Sequence, residues 1–198
     1  MEKLNQFVDP TSLIGQGTKI WGNTQIRSEV VIGSNCIVGR NVNIGPRVSI
    51  GDHCKIQNAC EINGPSKISD GVFIGPGVIF TNDHNPRAID EHGKLKSSDK
   101  WEATTVEIHH GASIGAGAIL VSPVKVGKWA MVGAGSVVTT DVADFALVLG
   151  VPAKQIGWVG KAGIRLIEQD GKFFCPKTKE QFTLVDNTLR ESEAHEAN

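Results

Sequence analysis

The 198-residue sequence predicts an all-β solenoid of short parallel strands, carrying one inserted loop and a small C-terminal extension. Three observations predict it. Branched apolar residues recur every six positions at Ile14, Ile20, Ile26, Ile32, Val38, Ile44, Ile50, Ile56, Ile62, Ile68, Ile74 and Phe80, and again at Ile108, Ile114, Leu120, Val126, Val132 and Val138. A second register, four residues after each anchor, holds only small or β-branched residues such as Thr18, Thr24, Val30, Cys36, Cys54, Cys60, Ser66, Ala112, Ala118 and Ser136. Gly follows many anchors directly, at Gly33, Gly39, Gly45, Gly51, Gly75, Gly115, Gly127 and Gly133. A period of six fits neither a helix nor a long alternating strand, but it fits a coil in which each hexad supplies one short strand and one corner. Three hexads close a triangular turn, anchors stack on anchors, and the hexads counted above make about six coils.

Along the chain, residues 1–12 read as a lead-in and 13–158 as the solenoid. Each anchor centres a strand, and each Gly after it reads as a tight turn. From Phe80 to Ile108 the spacing is not a multiple of six, so about 85–105 must leave the solenoid. That segment is polar, with Arg87, Asp90, Glu91, Lys94, Lys96, Asp99 and Lys100. It is either a tolerated surface insertion or a loop that closes a site, and unstructured loops of this length in compact proteins are often functional. Residues 159–198 form the extension, in which Lys172–Cys175 and Gln181–Val185 read as a hairpin. Residues 190–198 are expected to fray.

Composition narrows the function. Lys and Arg number 20 against 21 Asp and Glu, so no basic surface exists for nucleic acid or anionic lipid. No apolar run approaches the length of a membrane span and the first residues lack a signal-peptide core, which predicts a cytoplasmic protein without membrane or nucleic-acid partners. Cys36, Cys54 and Cys60 all fall in the small inward register, as expected of buried reduced thiols, and metal-ligand spacing of the C-x-x-C kind is missing.

Four stretches carry a resemblance: Gly17-Thr18-Lys19-Ile20-Trp21, then Phe80-Thr81-Asn82-Asp83-His84-Asn85-Pro86-Arg87-Ala88, then Gly111-Ala112-Ser113-Ile114-Gly115-Ala116, and finally Gly150-Val151-Pro152-Ala153-Lys154-Gln155-Ile156-Gly157-Trp158-Val159. The chain resembles the hexapeptide-repeat sugar N-acetyltransferases, most of all the branch acting on UDP-2-acetamido-3-amino-2,3-dideoxy-glucuronate. The resemblance implies a left-handed parallel β-helix, acetyl-CoA as cosubstrate, a nucleotide-sugar acceptor, a homotrimer with sites between subunits, and a place in surface polysaccharide (O-antigen) biosynthesis. A dTDP-linked 3-amino-3,6-dideoxyhexose is the alternative acceptor. A carbonic-anhydrase-like zinc protein is the rival of a different class, since His53, His84, His109 and His110 could supply ligands.

By the same resemblance Asn82 holds the sugar near its amine, although Asn also suits a corner. Asp83 binds a sugar hydroxyl or caps the turn. His84 is the candidate general base, because imidazole titrates near neutrality, yet in this branch the coenzyme sulfur can take the proton instead. Arg87 meets a pyrophosphate or sugar carboxylate, or pairs within the loop. Ala116 and Ala134, one coil apart, leave backbone groups open to the coenzyme's pantetheine arm, and Lys154 lies toward its phosphates. The sequence departs from the family at Gly22-Asn23-Thr24-Gln25 and in the tail. There a single Cys175-Pro176 replaces paired cysteines, so a metal-free remnant is expected.

Overall fold

The computed structural model describes residues 6–96, 102–186 and 188–192. Every regular element among them is a strand, and three sheets of 7, 6 and 8 strands wrap the chain into a parallel β-solenoid, consistent with a left-handed β-helix. The first face stacks Phe7–Val8, Gln25–Ile26, Asn43–Ile44, Glu61–Ile62, Ile79–Phe80, Ile119–Leu120 and Val137–Val138. Partners such as Gln25↔Asn43 on the first face, Ser49↔Lys67 on the second and Lys55↔Phe73 on the third lie one 18-residue coil apart. Above the loop, Ile79↔Ile119 and Lys67↔Glu107 lie 40 apart, so the insertion adds 22 residues without shifting the register.

The stack is longer than the six coils expected, with seven strands on the first face. Two residues explain the excess. Val8 stands six positions before Ile14, and Phe7–Val8 pairs with Gln25–Ile26, so a strand falls inside the expected 1–12 lead-in. At the other end the spacing contracts: Val142 bridges to Val126, and Ala146–Gly150 lies beside Met131–Val132.

Anchors and the small register together fill the interior; Ile26, Ile44, Ile62, Phe80, Ala112, Ala118 and Leu120 are fully buried. Polar members of the small register are satisfied by stacking. Thr18 Oγ1 and Thr24 Oγ1 donate to the Gly33 and Gly39 carbonyls at 2.7 Å, and Cys36, Cys54 and Cys60 donate through Sγ to Gly51, Ser69 and Gly75 at 3.1 Å. Each thiol therefore does a hydroxyl's work in a space that excludes water. Burial pushes the Cys54 thiol up to about 12, and the Cys60 thiol upward as well. Iodoacetamide at mildly alkaline pH should leave Cys36, Cys54 and Cys60 unmodified in the folded protein and label them after guanidinium unfolding; mass spectrometry showing rapid native labelling would contradict this packing. Because the folded chain keeps the Cys54 proton that the unfolded chain releases from pH 9.0 upward, this thiol's contribution to stability declines between pH 9.0 and about 12.

The glycines after the anchors are needed for a different reason from the turn reading. Left-handed backbone occurs two residues later, at Asn23, Glu29, Asn35, Asn41, Arg47, His53, Ala59 and Trp129, with φ between 55° and 59°. The glycines instead allow coils to approach. A Cβ on Gly75 would lie 2.6 Å from Ala116 N, and one on Gly115 would lie 2.7 Å from Gly133 C and Val132 O, closer than real Cβ atoms come.

Beyond the last coil, Ala153–Trp158 turns back antiparallel along Ala146–Gly150. The extension is a four-stranded antiparallel sheet, the expected hairpin flanked by Ile167–Gln169 and Thr188–Glu191. Phe182 seats it against Phe145, with ring centroids 5.2 Å apart, and Phe173 against Trp158 at 6.5 Å. Cys175 is buried there and its Sγ accepts the Thr178 N–H at 3.5 Å. Burial acts upward on this thiol, but donors from Thr178 and Lys177 hold it below its ordinary range. Of the expected frayed tail, residues 193–198 lie outside the described residues.

Candidate functional site

The corner between the first and second faces is where the repeat opens. Phe80, fully buried, is the last anchor before the loop, and the solenoid resumes at Val106–Ile108. Two side-chain amides fasten the exit to the coil below: Asn63 Nδ2 donates to Phe80 O at 2.9 Å, and Asn82 Nδ2 donates to Gly64 O at 2.7 Å. The returning chain closes on the same residue, with Thr104 N donating to Asn82 O at 2.9 Å. Asn82 thus forms the neck of the loop. Within the described residues its Oδ1 accepts no hydrogen bond, so the amide keeps an acceptor and one N–H for a ligand.

Around the neck, the Asp83 carboxylate caps the turn by accepting Asn85 N–H at 2.9 Å. His84 is exposed, with Nδ1 3.2 Å from the Ser122 carbonyl on the coil above. Thr81 Oγ1 accepts the Ser122 N–H at 3.0 Å. Two hydroxyls here, Ser122 Oγ and Thr104 Oγ1, are buried without a protein partner. Arg87 is exposed and donates from Nη1 to Pro86 O at 2.7 Å; among the described residues it makes no ion pair. Asp99 and Lys100 of the expected loop lie outside the described residues.

Ala116 and Ala134 occupy a different corner, between the third and first faces. Both are exposed, each within Gly-Ala-Gly. Their backbone is only partly open, since Ala116 O already accepts the Gly135 N–H at 2.8 Å. Gly150 tops this same corner, where its N–H donates to Ser136 Oγ at 3.2 Å, and Lys154, exposed, lines a cavity of about 160 Å³ with Thr140, Asp141, Ala153 and Gln155. The candidate residues therefore fall into two groups, with Lys154 apart from both. Asn82, Asp83, His84 and Arg87 gather at one edge of the first face and Ala116 and Ala134 at the other, while Lys154, on the strand that turns back over the end of the stack, lies beside Thr140 and Asp141, between Val138 and the second face.

Sequence reading missed Thr81, Asn63, Thr104 and Ser122. The signal for the last two was present, because Thr104 and Ser122 are 18 residues apart and stack like the Val106↔Val124 pair that follows them. The zinc alternative loses its geometry. His53, His109 and His110 sit at the corner between the second and third faces, away from His84, and among the described residues no three of His, Cys, Asp and Glu are placed to hold a metal.

Comparison with known proteins agrees with this architecture. Residues 11–46 match the bacterial transferase hexapeptide model (six repeats). Over 68 residues, 34% of this chain and 35% of the relative, the sequence is 44% identical to dTDP-3-amino-3,6-dideoxy-alpha-D-galactopyranose 3-N-acetyltransferase of Aneurinibacillus thermoaerophilus. The chain thus spans about a third of that relative's length. Among solved structures it is similar to an aspartate-to-alanine mutant of AntD, an N-acyltransferase from Bacillus cereus, in complex with dTDP and coenzyme A, at TM-score 0.54 and 20% identity, covering 81% of this chain and 80% of that one. A hexapeptide transferase family protein from Anaplasma phagocytophilum gives TM-score 0.54 and 20% identity, covering 80% and 81%. Residues 11–46 therefore carry the bacterial transferase hexapeptide repeat, and the chain has the fold of solved hexapeptide transferases.

Proposed function

We propose that the protein is an acetyl-CoA-dependent N-acetyltransferase acting on the 3-amino group of a nucleotide-linked amino sugar, with UDP-2-acetamido-3-amino-2,3-dideoxy-glucuronate the first acceptor to consider. The observation that carries this reading is the pairing of two unlike corners across one face. One is a loop neck that leaves an Asn amide, an imidazole and unpartnered hydroxyls. The other is stripped to Gly-Ala-Gly on successive coils.

Acetyl transfer needs a neutral amine held against a thioester carbon, donors for the tetrahedral oxyanion, and a proton route to the departing thiolate. The loop neck supplies polar contacts for the amine and sugar, with Asn82 and His84 nearest the chemistry and Asp83 and Arg87 toward the hydroxyls and the nucleotide. The bare corner accepts a pantetheine arm along Ala116 and Ala134, with Lys154 toward the phosphates. Because the groups sit at opposite edges of the first face, a site containing both draws them from two copies of the chain. Stacked apolar residues Ile79, Ile119 and Val137 on that face support such an assembly, and head-to-tail contacts that close do so as a ring, for which we propose a trimer. The reduced, buried thiols suit a cytoplasmic enzyme of surface polysaccharide biosynthesis.

The relative named for a dTDP-linked sugar supports a second acceptor, a dTDP-3-amino-3,6-dideoxyhexose. Thiol release from acetyl-CoA, followed in parallel with the UDP-uronate and the dTDP sugar, decides between them. Rapid release with the uronate is expected, and release only with the dTDP sugar would move the assignment to the second acceptor.

A further inference from the structure

We propose that the C-terminal extension carries a ligand site of its own, for a nucleoside diphosphate, in a cavity on the outer face of its four-stranded sheet and apart from the loop neck and the Gly-Ala-Gly corner.

Antiparallel register sorts the side chains of this sheet, because residues directly opposite one another point to the same face. Glu168, Phe173, Phe182 and Glu191 form one cross-strand row. That row turns toward the solenoid: Phe182 meets Phe145, Phe173 meets Trp158, and Glu191 pairs with Lys161 at 2.7 Å. The rows on either side point outward by the alternation of a strand. One holds Gln169, Lys172, Thr183 and Arg190, the other Ile167, Phe174 and Gln181. Charge is divided by this arrangement. Both acids of the strands, Glu168 and Glu191, lie on the inner face, whereas Lys172 and Arg190 lie on the outer one, and Lys179 joins the lysine from the connection between Lys172–Phe174 and Gln181–Val185. Among the described residues none of these three cations makes an ion pair.

On the outer face lies a cavity of about 420 Å³ that contains both lysines, within the size range of small-molecule sites. Its walls specify a ligand. Lys172 and Lys179, both exposed, supply two cations for a diphosphate. The half-buried ring of Phe174 offers a surface on which a base can stack, and Gln169 and Gln181 bring carboxamides that both donate and accept. Asp170, at the Asp170–Gly171 turn, is a carboxylate acceptor for ribose hydroxyls. A bare phosphate would use only the lysines, and an apolar molecule only the ring. A nucleotide uses every group. A nucleic-acid strand would need a basic track longer than one cavity, which a chain of net charge -1 does not provide.

Isothermal titration calorimetry of the purified full chain with UDP, in the absence of acetyl-CoA and amine, tests the site, with inorganic pyrophosphate as the probe that has no base. Arg87→Ala removes the phosphate contact proposed at the loop neck and should leave UDP binding in the extension intact. In that background Lys172→Gln with Lys179→Gln should weaken UDP at least about tenfold, while Phe174→Leu should weaken UDP about tenfold and leave pyrophosphate unaltered. Three results would overturn the proposal: no UDP binding by wild type, UDP binding that Arg87→Ala abolishes, or UDP and pyrophosphate bound equally with Phe174→Leu without effect. Binding is read without acetyl transfer, so a chain that acetylates no amino sugar refutes the proposed function while the titration still decides this site.

Discussion

Gly115→Ala should destabilise the protein by about 3 kcal/mol, whereas Gly117→Ala, two residues away, should cost only about 1 kcal/mol. The two glycines serve different purposes. A Cβ on Gly115 would strike Ala134 N and sit 2.7 Å from Gly133 C and Val132 O, all backbone of the coil above. No rotamer can relieve that contact, so two coils must separate and the N–H of Gly115 must stretch from Val132 O, to which it donates at 2.8 Å. Gly117 has φ of +66° and open space around it, so its substitution meets only left-handed backbone strain. Urea midpoints of the two variants measure the difference. Equal midpoints would mean that coil spacing does not demand Gly after the anchor, and the packing account would be wrong.

Asn82→Ala should lower kcat about a hundredfold, the scale of losing one aligned donor at a reacting centre, and leave the acetyl-CoA KM little altered. The side chain does two things that the variant removes together, fastening the loop to Gly64 O and offering a free Oδ1 and N–H at the neck. Stability separates them. One partly buried hydrogen bond is worth about 1 kcal/mol, so a small loss of stability with a large loss of turnover identifies the amide as a substrate contact. Asn63→Ala supplies the control, since it removes the companion clamp to Phe80 O without touching Asn82. Turnover within threefold of wild type for Asn82→Ala would assign that residue to the corner alone.

Much of this molecule is written in its hexads. Ile44 above Ile26 and Phe80 above Ile62 are readable because an 18-residue coil converts sequence spacing directly into stacking. The inward thiols were legible for the same cause. What the period does not encode is which backbone atom needs relief. Gly51 and Gly117 are both glycine, yet only the second has left-handed backbone, and the distinction depends on the distance to the next coil. Val142 reads correctly as an inward residue, but its pairing with Val126 on the second face was hidden by a contracted spacing at the end of the stack. At the site, Asn82 and His84 stood out as polar residues where the repeat broke. Their partners Gly64 and Ser122 contribute carbonyls, which no residue type announces, and Ser122 is joined to Thr81 across 41 positions that include the insertion.

The central claim is that this solenoid moves an acetyl group from coenzyme A to the nitrogen of a nucleotide-linked amino sugar. Purified protein incubated with acetyl-CoA and the 3-amino sugar nucleotides, followed by mass and NMR analysis of the acceptor, tests it most directly. The account predicts a product bearing one acetyl group in amide linkage at the 3-amino nitrogen, formed with stoichiometric release of free coenzyme A. Unchanged acceptors, or an acetyl group found as an ester on a sugar hydroxyl, would contradict it.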